Sequence, residues 1–367
     1  MRRPLTALAL ALAALSGCRA PPASGPAAPA GDGPSAETVA VPAAVETEVG
    51  SELIDADDPA LWADPRNPAR ALVLKTDKSR GLYVHGIDGR RRQFLPDGPI
   101  NNVDVRDGFA VAGRALVLVV GGERERYGLM TWLLDPDSLE VRPYGFIPLP
   151  GDFGEPYGSC LGRVDGRMLV AVNNKDGAIQ LWEIVDRGGQ PQASLLYQMK
   201  LDSQTEGCVI DDAQRLLYVG EEDRGIWRFD LARPSDPPVR IAAADDRVLV
   251  ADVEGVTILR DGARRFLIAS SQGDSSFAVW RLDNGTAVFQ GRFRVAGGAI
   301  DPVTQTDGVD AWSGPIGPFP EGAIAVHDHC DGPGPEDPPE AVCDSDEKQQ
   351  NVKIVDWRAV KRALAIR

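Results

Sequence analysis

The sequence predicts an all-β fold, a six-bladed β-propeller, and three observations carry this prediction. A short motif, in which a small or turn-forming residue precedes a strand with an aromatic side chain near its end, recurs six times. Further apolar runs typical of strands lie between the copies, and only residues 357–366 read as a helix. A period of about 40 to 50 residues with several short strands is typical of a propeller blade. The copies begin at Gly81, Gly128, Gly177, Gly225, Ser276 and Asn351, and the first five start 47 to 51 residues apart.

The amino terminus predicts export. Arg2 and Arg3 precede an apolar run of eleven residues, 5–15, which is too short to span a bilayer as a helix. The run ends in Leu-Ser-Gly-Cys, which resembles the lipobox of bacterial lipoproteins. We therefore expect a signal peptide at residues 1–17 and lipidation of Cys18, with a plain secretory signal as the alternative. No acidic residue follows Cys18 directly, and by analogy with Gram-negative sorting this favours the outer membrane, with the domain facing the periplasm or the cell surface.

Composition divides the rest of the chain in two. Residues 18–45 are rich in Ala, Pro and Gly and hold few large apolar side chains, so they predict a disordered tether. Residues 46–367 predict the propeller domain, which we expect to be a monomer. The net charge of −15 argues against nucleic acid as a partner, because such a surface needs a basic footprint. An acidic protein of this kind can bind cations, or an anionic substrate through cations.

Four cysteines remain besides Cys18, an even number in a chain predicted to be exported. Disulfides persist outside the cytoplasm, and four cysteines allow three pairings. We favour Cys330 with Cys343, which closes a loop rich in Pro and Asp, and Cys160 with Cys208. The spacing fits neither a zinc knuckle nor a CxxC redox motif.

Residues 203–229 place carboxylates between three runs that read as buried strands. Crowded carboxylates repel one another, and a hard cation such as Ca²⁺, which takes six to eight oxygen ligands, commonly holds them together. The alternative is that they are solvated turn residues. The acidic residues of this stretch are Glu206, Asp211, Asp212, Glu221, Glu222 and Asp223.

Ten segments in order give the chain a resemblance to the β-propeller phytases, the calcium-dependent phytate-degrading phosphatases. The resemblance runs from about Glu46 to Arg358 and implies a six-bladed propeller, in agreement with the repeat. The segments are DADDPALW from Asp55, TDKSRGLYV from Thr76, NNVDVR from Asn101, EPYG from Glu155, SQTEG from Ser203, LYVGEED from Leu217, DVEG from Asp252, SSQGDSSFAVW from Ser270, TDGVD from Thr306 and QNVKIVDW from Gln350.

The resemblance implies a 3-phytase that hydrolyses phytate or calcium phytate, with several Ca²⁺ ions at the top and in the central channel of the propeller. A calcium-bound water or hydroxide is expected to attack phosphorus. The implied phosphate contacts are Lys78, Arg124, Tyr157 and Lys175, and the implied catalytic residues are Lys78, Arg124, Tyr157, Glu206 and Glu222. The implied calcium ligands are Glu46, Asp57, Asp58, Asn102, Val103 through its carbonyl, Glu206, Glu222, Asp252, Glu254, Gln272, Asp301, Asp307 and Asp328.

Elementary electrostatics agrees with this expectation. Phytate is densely anionic, so an acidic site must gather cations before it attracts the substrate, and those cations then act as Lewis acids. Arg124 suits a fork of hydrogen bonds to phosphate, whereas Lys78 and Lys175 act as point charges. Such a reaction needs no Ser, Cys or His nucleophile. The chain has three histidines and no RHGxRxP-like motif, which phosphohistidine-forming phosphatases typically require.

The chain departs from the family pattern in three regions. The loop at residues 121–126 holds two arginines, so Arg126 could replace Arg124. After Lys175 only Asp176 is acidic, where family members often carry more carboxylates. A Gln-Asp pair of the family is His327-Asp328 in this chain, and the loop from Cys330 to Cys343 has an unusual composition.

Two other functions compete with a phytase. A calcium-dependent propeller lactonase or phosphotriesterase also gathers Asn, Asp and Glu at its centre, although it needs no set of basic phosphate clamps. A non-catalytic cell-surface propeller that binds a protein or glycan would use calcium only for stability.

Overall fold

Six mainly antiparallel sheets surround one axis as the blades of a β-propeller, as the repeat predicts. The computed structural model describes residues 36–49, 54–283, 286–330 and 349–367. The strands are β1 (Thr38–Pro42), β2 (Val45–Glu46), β3 (Ala56–Asp64), β4 (Asn67–Asp77), β5 (Gly81–Gly86), β6 (Arg91–Leu95), β7 (Ile100–Val111), β8 (Arg114–Glu123), β9 (Gly128–Asp135), β10 (Glu140–Pro148), β11 (Pro156–Val164), β12 (Arg167–Asn174), β13 (Ala178–Asp186), β14 (Pro191–Lys200), β15 (Thr205–Asp211), β16 (Leu216–Glu221), β17 (Gly225–Asp230), β18 (Val239–Ala243), β19 (Val256–Asp261), β20 (Arg264–Ser271), β21 (Ser276–Asp283), β22 (Thr286–Ala296), β23 (Val309–Ser313), β24 (Gly322–Asp328) and β25 (Asn351–Asp356). A 3₁₀ turn covers Gln272–Asp274, and one helix, α1, covers Trp357–Ala363.

Within each blade, the strands follow one another in sequence order from the axis outwards. Blades 1 to 4 are β3–β6, β7–β10, β11–β14 and β15–β18; blade 5 is β19–β22 with β1, and blade 6 is β23–β25 with β2. The innermost strands contact one another in turn, from β3 to β7, β11, β15, β19 and β23 and back to β3. The six copies of the sequence motif begin at or one residue before the third strand of each blade.

The segment before the propeller supplies strands to the last two blades. β2 pairs antiparallel with β25, and β1 pairs parallel with β22 over five residues. Val41 in β1 is buried in the core between blades 5 and 6. The expectation of a tether up to residue 45 is therefore wrong for residues 38–42, because their backbone and apolar side chains are used by the sheet. The signal peptide, Cys18 and Cys343 lie outside the described residues.

The apolar core lies between neighbouring blades. Trp62 of blade 1 and Trp132 of blade 2 share one such cluster. Phe266 of blade 5 and Trp357 of α1 share another, with ring centroids 5.1 Å apart. Helix α1 ends at Ala363, slightly earlier than predicted, and Asp356 caps its first turn by accepting a hydrogen bond from the Arg358 backbone N–H at 2.8 Å.

A disulfide joins Cys160 to Cys208, the pairing favoured from the sequence, and thereby links the innermost strands of blades 3 and 4. The pairing of Cys330 with Cys343 stays a prediction, since Cys343 is outside the described part. Within that part, no helix has the length and apolar character needed to cross a membrane.

Candidate metal centre

One end of the propeller axis collects nearly all of the predicted site residues, and we call it the site end. In an antiparallel blade, the first strand starts and the second strand ends at the same edge of the sheet. Ala56, for instance, pairs with Asp77, and Thr205 with Glu221. The predicted residues lie at or close to these strand ends, with one exception. Glu46 lies on the outermost strand of blade 6, opposite Lys353, and its role as a ligand stays a prediction.

Bulges in the inner strands aim side chains at the axis. In blades 1 to 4, two residues of the inner strand oppose one residue of the neighbouring strand, directly after the first paired position. A bulge of this kind re-aims side chains and is common beside active sites. The residue after the first paired position is Asp57, Asn101, Tyr157 and Glu206 in the four blades. Four distant segments therefore present polar groups to one place.

Three buried carboxylates come together within the described residues. Oxygens of Glu206, Glu222 and Glu254 all lie within 4.8 Å of one another, close enough to hold one metal ion. The close approach depends on Gly207, because a Cβ at that position would lie 2.1 Å from the Glu254 carbonyl oxygen. Burial is the largest cause of a raised pKa at all three, to about 7 for Glu222 and about 8 for Glu254. Neighbouring carboxylates raise these pKa values further.

Lys78 joins two more predicted ligands next to this cluster. Its Nζ lies 2.8 Å from Asp57 Oδ1 and 3.3 Å from Asp307 Oδ2. Burial opposes the charge of Lys78, but the two carboxylates outweigh it, so the lysine pKa is well above its usual value. Gln272 donates a hydrogen bond to Asp307, and the Asp307 backbone N–H donates to His327 Nδ1 at 3.0 Å. Lys78 is therefore a fixed cation between acidic groups.

Two basic side chains, those of Arg124 and Lys175, share one acidic partner, Glu155. Arg124 Nε donates a hydrogen bond to Glu155 Oε1 at 2.7 Å, and Lys175 Nζ lies 3.8 Å from the same oxygen. Lys175 also lies over the Tyr157 ring, 4.4 Å from its centroid. Burial and then the charge of Glu206 raise the pKa of Tyr157, so its hydroxyl keeps its proton and can donate a hydrogen bond. These groups can bind phosphate oxygens.

Arg126, the alternative to Arg124, faces a different environment. Its Nε lies 3.3 Å from Glu123 Oε2, and its guanidinium stacks over the Phe146 ring at 4.3 Å. The guanidinium also donates to the Asp97 carbonyl oxygen. Arg126 is thus engaged with blade 2, and Arg124 is the arginine that joins Glu155 and Lys175.

A cavity of about 240 Å³ lies along the axis between the inner strands. Three of the predicted calcium ligands, Asp58, Asn102 and Val103, line it. Asp58 Oδ2 accepts a hydrogen bond from the Val103 N–H at 3.0 Å, and burial raises the pKa of Asp58 well above its usual range. Asn102 Oδ1 is buried with no hydrogen-bond partner among the described residues, so it is free to bind a cation.

Three further predicted ligands are not among the three glutamates of the cluster. Asp301 and Asp328 each lie 2.7 Å from Nζ of Lys353, a fully buried lysine that already supplies a positive charge there. Asp252 is half-buried, and burial followed by the charge of Asp223 raises its pKa. The charge of Asp252 raises the pKa of Glu222, so this carboxylate borders the glutamate cluster, whereas Asp301 and Asp328 lie against Lys353. The role of all three as ligands stays a prediction.

Sequence reasoning missed three residues of the site. Asn101, Glu155 and Lys353 occur in the segments NNVDVR, EPYG and QNVKIVDW, but the sequence assigns none of them a role. The signal for Asn101 is its position, because it occupies in β7 the place that Asp57 occupies in β3 and Glu206 in β15. A register alignment of the inner strands finds it. The partners of Glu155 and Lys353 require the folded chain.

Two comparisons with known proteins point to the same protein family. A family model described as Phytase matches residues 5–366. A curated protein named 3-phytase from Bacillus subtilis (strain 168) is 32% identical over 322 residues, which cover 84% of this chain and 81% of that protein.

Proposed function

This chain belongs to the phytase family and is a phosphoric monoester hydrolase, and we propose that it removes phosphate from myo-inositol hexakisphosphate in a calcium-dependent reaction at the site end. The observation that carries the proposal is the buried cluster of Glu206, Glu222 and Glu254, on which the charges of Lys78 and Lys175 act. Arg124 joins Lys175 through Glu155. The family match over nearly the whole chain favours this function over a lactonase or a non-catalytic binding propeller.

The donor set fits calcium. The cluster and its neighbours offer carboxylate, amide and carbonyl oxygens, which hard cations such as Ca²⁺ prefer. One oxygen of Glu254 is buried with no hydrogen-bond partner among the described residues. The glutamate cluster and the channel cavity supply two separate places, which supports more than one ion. Calcium held there would polarise a phosphoryl group and lower the pKa of a water that serves as nucleophile.

The chain's own residues supply binding and orientation. Arg124 uses Nε for Glu155, and among the described residues no hydrogen bond engages its terminal nitrogens, which can bind a phosphate in a fork. Lys78 and Lys175 add positive charge, and the protonated Tyr157 hydroxyl adds a donor. Donors that are already in place stabilise the charge that develops on phosphate oxygens in the transition state.

Histidine takes no covalent part in this proposal. His327 is fully buried, and burial lowers its pKa to about 3, so the ring is neutral. Its Nδ1 accepts the backbone N–H of Asp307 and is not available as a nucleophile. We assign His327 to positioning Asp307.

Export and anchoring form the cellular part of the proposal. The Cys160–Cys208 disulfide supports a compartment outside the cytoplasm, where disulfides persist. We propose that a signal peptide directs export and that Cys18 carries a lipid anchor on a monomeric enzyme. Mass spectrometry of the amino-terminal peptide from the membrane fraction tests this, and an unmodified or absent Cys18 would contradict it.

The decisive experiment is a time course of phosphate release from phytate by the purified protein. Calcium is supplied in one arm and removed with EDTA in the other, and inositol phosphate isomers are separated at each time point. We expect release with calcium, loss with EDTA and recovery when calcium is returned. No release with calcium present would refute the proposed substrate, and equal release in EDTA would refute the calcium requirement.

A further inference from the structure

Asn101 joins groups from three other blades at the site end. The two N–H groups of its Nδ2 serve three acceptors, so one hydrogen bond is shared. These acceptors are Asp57 Oδ2 at 3.1 Å, Glu206 Oε1 at 2.8 Å and the Tyr157 carbonyl oxygen at 2.9 Å. Asn101 belongs to blade 2, whereas the acceptors belong to blades 1, 4 and 3. The side chain is fully buried, so these contacts are shielded from water.

From this geometry we propose that Asn101 is a positioning residue that fixes Asp57 and Glu206 relative to each other as ligands of the metal centre. The inference rests on the proposed calcium-dependent function. The two carboxylates are 149 positions apart in sequence and lie on strands that do not pair. An amide N–H donates without adding charge, so it restrains both acids while leaving their negative charge to a cation.

A second asparagine fixes the backbone of the same glutamate. Asn173 Nδ2 donates to the Glu206 carbonyl oxygen at 2.7 Å, and Asn173 Oδ1 accepts from the Gly158 N–H at 2.9 Å. The side chain of Glu206 is therefore held from blade 2 and its backbone from blade 3. A cation that binds there meets oxygens whose position is set before binding, which reduces the ordering cost of binding.

The contacts of Asn101 distinguish positioning from packing. Every hydrogen bond recorded for its side chain within the described residues ends on Asp57, Glu206 or the Tyr157 backbone. Its Oδ1 is buried with no hydrogen-bond partner among those residues. A buried amide that served only packing would be replaceable by an apolar side chain of similar shape at little cost.

The test is the substitution Asn101→Leu, which keeps the approximate shape and removes both N–H donors. Calcium affinity is measured by isothermal titration calorimetry on the full mature chain, alongside kcat and KM for phytate at saturating calcium. We expect calcium affinity to fall about tenfold, which corresponds to about 1.4 kcal/mol. We expect kcat to fall severalfold with a smaller change in KM, since the phosphate-binding cations are untouched.

Gln180→Leu is the matched control. Gln180 is also a buried amide, but it lies in β13 and accepts a hydrogen bond from Trp182. We expect this variant to lose thermal stability and to keep the calcium affinity and kcat of the unmodified protein. If Asn101→Leu does not fold, Asn101→Thr suits a strand and retains one donor, and we expect a loss of about threefold in calcium affinity.

The outcomes separate the inference from the function on which it rests. Unchanged calcium affinity in Asn101→Leu, or in Asn101→Thr where only that variant folds, overturns the inference and leaves the proposed function intact. An equal loss in Gln180→Leu also overturns it, because the effect would then be general. Failure of the unmodified protein to bind calcium overturns the calcium requirement and, with it, the inference.

Discussion

Glu155 holds Arg124 through a hydrogen bond of 2.7 Å between Oε1 and Nε, and the same carboxylate lies 3.8 Å from Nζ of Lys175. One acid thus sets the direction of two cations that we propose to bind phosphate. Lys175 is 42% exposed, so without Glu155 its side chain would be held only by its contact with the Tyr157 ring and would gain freedom.

Substitution of Glu155 by Ala should therefore weaken substrate binding. We expect KM for phytate to rise about fivefold, with a smaller effect on kcat, because the two cations must be ordered by the substrate itself. Initial rates over a range of phytate concentrations at fixed calcium measure both constants. Glu183→Ala is the control, since it removes the partner of Arg167 in a solvent-accessible pair. An unchanged KM in the Glu155 variant would show that Arg124 and Lys175 need no such partner.

Lys78 should be far less replaceable. Lys78→Met removes the cation between Asp57 and Asp307 and one proposed phosphate contact, so we expect kcat/KM to fall about a hundredfold, or about 2.7 kcal/mol. Lys78→Arg retains the charge and should recover part of the loss. Activity of Lys78→Met within threefold of the unmodified enzyme would exclude this residue from catalysis.

Calcium removal should make stability depend on pH in a defined direction. The pKa values of Glu222 and Glu254 are raised to about 7 and about 8 in the folded protein, from 4.5. The folded state therefore binds more protons than the unfolded state between about pH 4.5 and 8, and the free energy of unfolding falls as pH rises through this window.

Urea unfolding in EDTA at pH 5 and pH 8 measures the effect. We expect the free energy of unfolding to be lower at pH 8, by on the order of 2 kcal/mol for each buried carboxylate. Added calcium should remove most of the difference, since it binds the ionised form. Glu254→Gln should flatten the slope in EDTA. A stability that rises from pH 5 to pH 8 in EDTA would contradict the raised pKa values.

The disulfide offers a separate test of how the site is supported. Cys160 and Cys208 are 48 positions apart, and a closed loop of this length is worth about 4 kcal/mol in the chain-entropy model. Cys208 also follows Glu206 by two residues in β15. We expect the double variant Cys160→Ser and Cys208→Ser to have a lower Tm and a weaker calcium affinity. A lower Tm with unchanged calcium affinity would limit the disulfide to stability.

The candidate metal centre is only partly predictable from the sequence. The resemblance supplied Glu206, Glu222 and Glu254 as candidate ligands, and the structure brings the three together. It supplied Asp301 and Asp328 in the same way, but both lie against the buried ammonium of Lys353. A motif records which residue types are present, whereas the partner of a carboxylate depends on which strands the closed ring brings together.

The sequence by itself determined the number of blades, because each blade repeats a third strand with its aromatic residue, and it determined the oxygen-rich chemistry of the site. Only the tertiary structure decided that Arg124 rather than Arg126 joins Glu155 and Lys175, that residues 38–42 form a strand, and that Asn101 connects Asp57 with Glu206. The physical reason is distance along the chain. Hydrophobic periodicity reflects packing within one blade, so a short segment of sequence reveals it. The site, by contrast, is made of side chains from different blades, which come together only at the common axis.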